Sequence, residues 1–282
     1  MLKIKDIIKK NKKINFELVL LLAHILNKPK EFIYTHGEQR LNLIEYLKLK
    51  YYTRLLKQNY PLAYVTKNKE FFNLNFFVNK YVLIPRPDTE IIVEQVLELL
   101  KKQKNTPMLL IDIGTGSGCI PISILKNIDK KISTWGVDIS TKALKVAKKN
   151  ATRHHTDIKF LKSDLINNKV IKNKLSQKTK TIITANLPYL NKQQYEEELS
   201  IRQEPKSALV AEKKGLDFYY KLITQIKSLH QKNQMNIFLE IDPSQTKLIK
   251  NYIKRELPQS EIKIKKDLAG LERVVYIKID SK

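Results

Sequence analysis

The chain is predicted to be an α/β protein, a doubly wound and mostly parallel seven-stranded sheet ending in an antiparallel hairpin, preceded by a small helical domain and a linking β-hairpin. Three observations predict it. Strand-like runs near 108–113, 133–138, 158–162, 180–185 and 235–241 alternate with segments of helical spacing near 119–128, 140–152, 192–202, 215–232 and 244–256. Alternation of this kind implies right-handed crossovers that pack helices on both faces of a parallel sheet. Two further runs, near 260–265 and 272–279, have only Lys266 to Leu271 between them, a link short enough for a hairpin, so the last strand reverses direction. Residues 1–66 carry helical spacing alone.

Within residues 1–66 apolar side chains recur at Ile4, Ile7 and Ile8, from Leu18 to Leu26, and from Leu41 through Leu47 to Leu55 and Leu56. Pro29, Gly37 and Pro61 break these runs, as the loops of a small bundle require. From Phe71 to Ile84 aromatic and β-branched residues take over, with Asn73, Asn75 and Asn79 between them, which predicts a β-hairpin within a linker over 67–85. Pro85-Arg86-Pro87-Asp88-Thr89-Glu90 closes the linker. Asp88 or Thr89 is the expected N-cap of a helix through Ile91, Val93, Val96, Leu99 and Leu100. The main domain then occupies 86–282.

With 282 residues and 42% hydrophobic content, the chain can bury a sizeable core in one large domain and a smaller one. Its single cysteine, Cys119, excludes an internal disulfide and reads as a small packing residue at a helix start. No Cys/His cluster has zinc-ligand spacing, and His24, His36, His154, His155 and His230 form no catalytic or metal-binding pattern, so no metal is expected. The basic start followed by Phe16 to Leu26 has the outline of a signal peptide. Glu17 and His24 interrupt it, no small-residue cleavage site follows, and it is too short to span a bilayer. It reads as a core-facing helix of a cytoplasmic protein with no membrane partner. Fifty-three Lys and Arg against 28 Asp and Glu leave a net charge of +25. The charge is mostly lysine spread beside Ile and Asn, a pattern that compositional bias also leaves. It permits proximity to RNA or the ribosome without identifying either.

Two motifs carry chemistry. Gly114-Thr115-Gly116-Ser117-Gly118 follows one strand and opens a helix, so its glycines allow a tight turn and close approach of backbone to a ligand. The dinucleotide fingerprint G-x-G-x-x-G wants a third glycine where this chain has Cys119, which counts against a nicotinamide cofactor and favours the G-x-G-x-G loop of S-adenosyl-L-methionine (SAM) sites. Asp138, ending the second strand, can accept both ribose hydroxyls of such a cofactor. Asp164 can accept from the adenine amino group, Leu165 can contact the ring, and Asp112 is expected near the cationic end.

Asn186-Leu187-Pro188-Tyr189 follows the apolar run Thr181 to Ala185. The lone pair of an amide or exocyclic base nitrogen is delocalised, which makes it a poor nucleophile. Asn186 Oδ1 and the Leu187 carbonyl can each accept one of its N–H groups, fixing the nitrogen and favouring positive charge on it during attack. Pro188 would hold the loop and Tyr189 would stack on the planar group. Holding nitrogen, methyl carbon and sulfur in line at roughly 3–3.5 Å is a proximity effect worth about 7–11 kcal/mol. The motifs together read as SAM-dependent methylation of an amino or amide nitrogen, with Asn186 and Tyr189 as the catalytic residues.

Several stretches resemble the bacterial HemK-type methyltransferases, which modify the glutamine of the Gly-Gly-Gln motif in class 1 peptide chain release factors. They are Pro61 to Val65 with Phe71-Phe72, Val82 to Glu90, Ile111 to Ile120, Asp267 to Gly270 with Arg273 to Val275, and Glu204 to Leu209 followed by Gly215 to Tyr219. The resemblance implies a class I SAM-dependent methyltransferase fold with its N-terminal domain docking the protein substrate. It also implies a place for Glu204 beside the acceptor. Arg86 is expected either to pair with Glu90 or to shape the acceptor pocket. The family usually has Asn-Pro-Pro-Tyr, whereas Leu187 gives the form familiar in ribosomal RNA adenine dimethyltransferases. N6-adenine methylation of RNA or DNA is therefore the alternative activity.

Overall fold

The computed structural model describes residues 2–11, 14–103, 107–177, 179–229 and 234–281. Its contacts divide it into two units, Met1–Asn68 and Lys69–Lys282. The first unit contains helices α1 (Ile4–Lys10), α2 (Asn15–Leu26), α3 (Lys30–Thr35), α4 (Leu43–Lys57) and α5 (Leu62–Thr66). Leu18, Leu21 and Leu22 of α2 are completely buried among Ile4, Ile33, Leu41 and Leu49. Helix α2 stops because Asn27 turns left-handed, at φ = +51°. Helix α4 starts on a reciprocal cap, in which Asn42 Oδ1 accepts from Glu45 N and Glu45 Oε2 accepts from Asn42 N, each at 2.8 Å.

The second unit begins with a two-stranded hairpin, β1 (Lys69–Phe71) and β2 (Leu74–Phe76). Strand pairing ends well short of the expected Ile84. The turn residues Phe72 and Asn73 both have positive φ, which sets a tight two-residue connection. Beyond it, buried Asn150 replaces a longer ladder by accepting from Phe77 N at 2.8 Å and donating to Phe77 O at 3.0 Å. Pro87–Thr89 forms a 3₁₀ turn running straight into α6 (Glu90–Lys102), so neither Asp88 nor Thr89 caps that helix.

The remaining elements are β3 (Met108–Ile113), α7 (Cys119–Lys126), β4 (Ser133–Asp138), α8 (Thr141–Arg153), β5 (Lys159–Lys162), α9 (Lys169–Leu175), β6 (Lys180–Ala185) and α10 (Lys192–Glu197), followed by α11 (Asp217–Lys227), β7 (Met235–Glu240), α12 (Thr246–Glu256), β8 (Glu261–Lys266) and β9 (Glu272–Ile279). The sheet order is β5-β4-β3-β6-β7-β9-β8, parallel from β5 to β7, with β9 antiparallel to both neighbours. Strand β3 is buried on both faces. Leu109, Ile111 and Ile113 join one apolar cluster, while Met108 and Leu110 join the other.

Two differences from the sequence reading concern helices. Helix α9 was not expected; Asn168 caps it by accepting from Val170 N at 2.9 Å, and only Ile171 and Leu175 of its seven residues are buried. Helix α10 ends at Glu197, where the next residue leaves helical geometry and a 3₁₀ turn, Leu199–Ile201, replaces the expected continuation. Residues 230–232 of the helix expected to end there lie outside the described residues, as does His230. Among the described residues no helix is long and apolar enough to cross a membrane, and no acidic, His or Cys group could hold a metal ion.

Candidate active site

Sheet order reverses at β3, because the chain winds outward through β4 and β5 on one side and through β6 and β7 on the other. Such a switch point opens a crevice at the C-terminal ends of the strands. The register pairs Ile113 with Ala185, so the residues that follow, Gly114 and Asn186, emerge side by side. Contact between the two motifs is therefore a consequence of strand pairing. A Cβ on Gly114 would come within 2.9 Å of Leu187 Cδ2, and its φ of +68° independently requires glycine. The Leu187 side chain is thus packed down on the glycine loop.

A cavity of about 290 Å³ lies over this junction. Gly114, Thr115, Gly116, Ser117, Asp138, Asp164, Leu165, Asn186, Leu187, Pro188 and Arg86 line it. Asp138 Oδ2 accepts from Gly116 N at 3.0 Å and Oδ1 from Ser140 N at 2.8 Å, which leaves each oxygen a lone pair. Burial raises the pKa of Asp138, and the backbone N–H groups of Ser140, Gly116 and Ile139 oppose the rise. Asp164 is tied to Lys221 of α11 at 2.5 Å. Leu165 holds a left-handed backbone at φ = +55°, unusual for a branched side chain and placed in the cavity wall.

Four sequence-predicted residues lie elsewhere. Asp112 is buried beneath the loop, where Oδ1 accepts from Thr184 Oγ1 at 2.7 Å, and it does not reach the cavity. Gly118 occupies the N-cap of α7. Glu204 is buried and committed, accepting from Ile84 N at 2.9 Å and pairing with Arg86. Arg86 therefore does not pair with Glu90, whose Oε1 accepts from Phe72 N at 2.8 Å. Tyr189 turns its hydroxyl to Glu240 Oε1 at 3.3 Å, and Gln245 Nε2 donates to its carbonyl at 2.8 Å.

Tyr189 lines a second cavity of about 280 Å³, together with Leu190, Gln194, Glu198, Ile201 and Leu209. Asn186 and Leu187 line both cavities and so stand in the wall between them. Leu187 N donates to the hydroxyl of Tyr219, which is wholly buried, at 3.2 Å. That hydroxyl has one hydrogen and gives it to the Glu240 carbonyl, in the tighter of its two contacts, so the Leu187 carbonyl keeps its acceptor capacity. Burial holds the Tyr219 pKa well above the ordinary phenol value, so it remains a donor.

Thr89, Ile139, Ser163 and Phe218 also line the first cavity and were not anticipated, nor was Glu240 beside the tetrad. Glu240 had a signal, a carboxylate closing the buried run Met235 to Leu239 on the strand next to the tetrad. Ser163 Oγ is buried with no hydrogen-bond partner among the described residues and lines the cavity, an acceptor and donor held ready for a polar ligand. Cys119 also lines it, but burial pushes its thiol up to about 12, which leaves it protonated and unreactive at neutral pH.

Residues 89–205 match the family model described as Methyltransferase small domain, and residues 9–66 match the PrmC N-terminal domain. The release factor glutamine methyltransferase of Mycoplasma mycoides is 38% identical over 83% of this chain and 83% of its own length. That of Thermodesulfovibrio yellowstonii is 34% identical over 98% and 96%. Among solved structures, the N-terminal domain of human METTL16 in complex with SAH is similar in fold, with a TM-score of 0.53, 18% identity and coverage of 93% of this chain and 94% of that one. Sequence identity of 34% running through both units leaves one conclusion about descent: the chain belongs to the release factor glutamine methyltransferase family.

Proposed function

We propose that the protein transfers a methyl group from SAM to the side-chain amide nitrogen of the Gly-Gly-Gln glutamine in class 1 release factors. The observation that carries this reading is the position of Asn186 and Leu187 in the wall shared by two cavities, one for the methyl donor and one for the acceptor. The first cavity suits SAM. Asp138 has lone pairs left for the ribose hydroxyls, Leu165 and Ile139 offer apolar faces to adenine beside Asp164, and Ser163 Oγ lacks a partner among the described residues. When bound, SAM supplies an electrophilic methyl group on a sulfonium centre.

The protein's own contribution is positioning. Asn186 Oδ1 and the Leu187 carbonyl take the two amide hydrogens of the acceptor, which orients the nitrogen and stabilises the positive charge that grows on it. No strong base is needed beforehand, because the nitrogen-bound proton becomes acidic only as the new bond forms, and solvent then takes it. Pro188 fixes the loop, and the Tyr189 ring walls the acceptor side. Glu204 braces the segment beside both cavities by accepting from Ile84 N and pairing with Arg86, and Arg86 itself lines the acceptor cavity. Residues 1–66 are the docking domain for the rest of the release factor. Leu43, Ile44, Leu47 and Tyr51 support this, since they form an exposed apolar stripe along α4.

The test is transfer of labelled methyl from SAM to intact release factor, beside the factor with its Gly-Gly-Gln glutamine changed to alanine and beside total RNA. Label on the intact factor alone is the expected outcome. Label on RNA alone would instead assign adenine methylation.

A further inference from the structure

The tetrad holds one proline, Pro188, and the residue before it is a leucine. Pro188 restricts Leu187 to extended backbone, yet this leaves the Leu187 φ a range of roughly 80°. A proline at 187 would fix that angle near about −65° and would have no N–H to donate. Leucine keeps both the freedom and the N–H. Its peptide nitrogen stands between the two groups that receive the acceptor's hydrogens, Asn186 Oδ1 on one side and the Leu187 carbonyl on the other. Rotation at this peptide turns one oxygen away from the other, so a group outside the tetrad has to hold it.

Tyr219 of α11 supplies the hold. Its side chain is wholly buried, and it is not among the described residues that line either cavity, so it is not placed to touch SAM or the acceptor. Its hydroxyl accepts from Leu187 N at 3.2 Å and gives its own hydrogen to the Glu240 carbonyl. The Tyr189 hydroxyl meets Glu240 Oε1 at 3.3 Å, so the second and fourth residues of the tetrad are both tied to the end of β7. A phenylalanine would fill the same space in the core, and a buried hydroxyl is costly unless it is bonded. Here the hydroxyl is spent on joining the tetrad loop to the strand beside it.

We infer that Tyr219 is a positioning residue: its hydroxyl fixes the Leu187 peptide, and with it the pair of oxygens that orient the acceptor nitrogen, as a proline ring at 187 would fix it covalently. The catalytic consequence rests on the methyl-transfer reading above, whereas the anchor itself does not.

Hydrogen exchange and kinetics test the proposal. In the protein without substrate the Leu187 amide should exchange slowly, and Tyr219→Phe should speed its exchange by about tenfold or more while amides in the middle of β6 and β7 keep their protection. In methyl transfer to intact release factor, Tyr219→Phe should lower kcat by about tenfold, short of the roughly 10²-fold that a misplaced reacting group can cost. SAM affinity by calorimetry should not change. Leu187→Pro should retain methyl transfer, and in that background Tyr219→Phe should cost less than about twofold further, because the ring already holds the backbone. A role in packing alone predicts the same loss in both backgrounds. Unchanged Leu187 exchange in Tyr219→Phe overturns the inference, as does full activity of that variant, an equal loss in both backgrounds or an inactive Leu187→Pro. A Leu187 amide that loses its protection in Tyr219→Phe, in a protein that leaves release factor unlabelled, would uphold the anchor and sink the substrate assignment instead.

Discussion

Asp112 shows what a single buried carboxylate does to this protein. It is almost fully buried at the end of β3, and burial lifts its pKa to about 7 despite the opposing hydroxyls of Thr115 and Thr184, with Asp138 adding to the rise. Between about pH 4 and pH 7 the folded protein thus holds a proton that the unfolded chain has released. Stability from this group is fully present below the unfolded pKa and is lost as pH rises through the folded one. Asp112→Asn keeps the shape and an acceptor for Thr184 but cannot ionise. In urea titrations the wild type should lose stability relative to the variant from pH 4.5 to 7, with a constant difference above pH 8. A difference that stays flat from pH 4.5 upward would mean that Asp112 titrates normally.

At the scale of elements, the loop after β6 is held less by its own residues than by its neighbours. Gly215, at φ = +82°, packs so closely that an added Cβ would lie 1.9 Å from the Tyr189 carbonyl oxygen and 2.3 Å from Gln245 Nε2. Gly270, at φ = +79°, has nothing within 4 Å of that position. Gly270→Ala should therefore cost only the backbone term, about 1–2 kcal/mol. Gly215→Ala should cost more than twice as much by urea titration and should also abolish methyl transfer, because it displaces Tyr189. Equal losses in the two variants would show that the contact at Gly215 yields freely. The same scale explains what could be read from the chain. Central strands are legible because burial on both faces leaves near-continuous apolar runs, and the glycine loop and tetrad are contiguous in sequence. Arg86 meets Glu204 rather than nearby Glu90, and Asn186 meets Thr89, through folding alone, and no spacing rule reports such pairs. Helix α9 escapes because three lysines and an asparagine dilute its two buried apolar residues.

Each unit of the molecule closes a core from its own residues. The apolar cluster around Ile4, Leu18, Leu22, Ile33 and Leu49 lies wholly within Met1–Asn68, and the two clusters flanking the sheet lie wholly within Lys69–Lys282. The described residues that line the two cavities all belong to the second unit. The fragment 69–282 should accordingly fold and bind SAM with the affinity of the whole chain, and it should methylate a short Gly-Gly-Gln peptide at the same rate, since such a peptide reaches no further than the acceptor cavity. Intact release factor should distinguish the two proteins. If the apolar stripe of Leu43, Ile44, Leu47 and Tyr51 docks the factor, removing the first unit should lower kcat/KM by tenfold or more, about the effect of one interface hot spot. Calorimetry with SAM establishes that the fragment is folded, and parallel kinetics on peptide and intact factor separate chemistry from docking. An unchanged kcat/KM on the intact factor would end the docking role of the helical unit, whereas loss on peptide and factor alike would mean that the helices act on the active site itself.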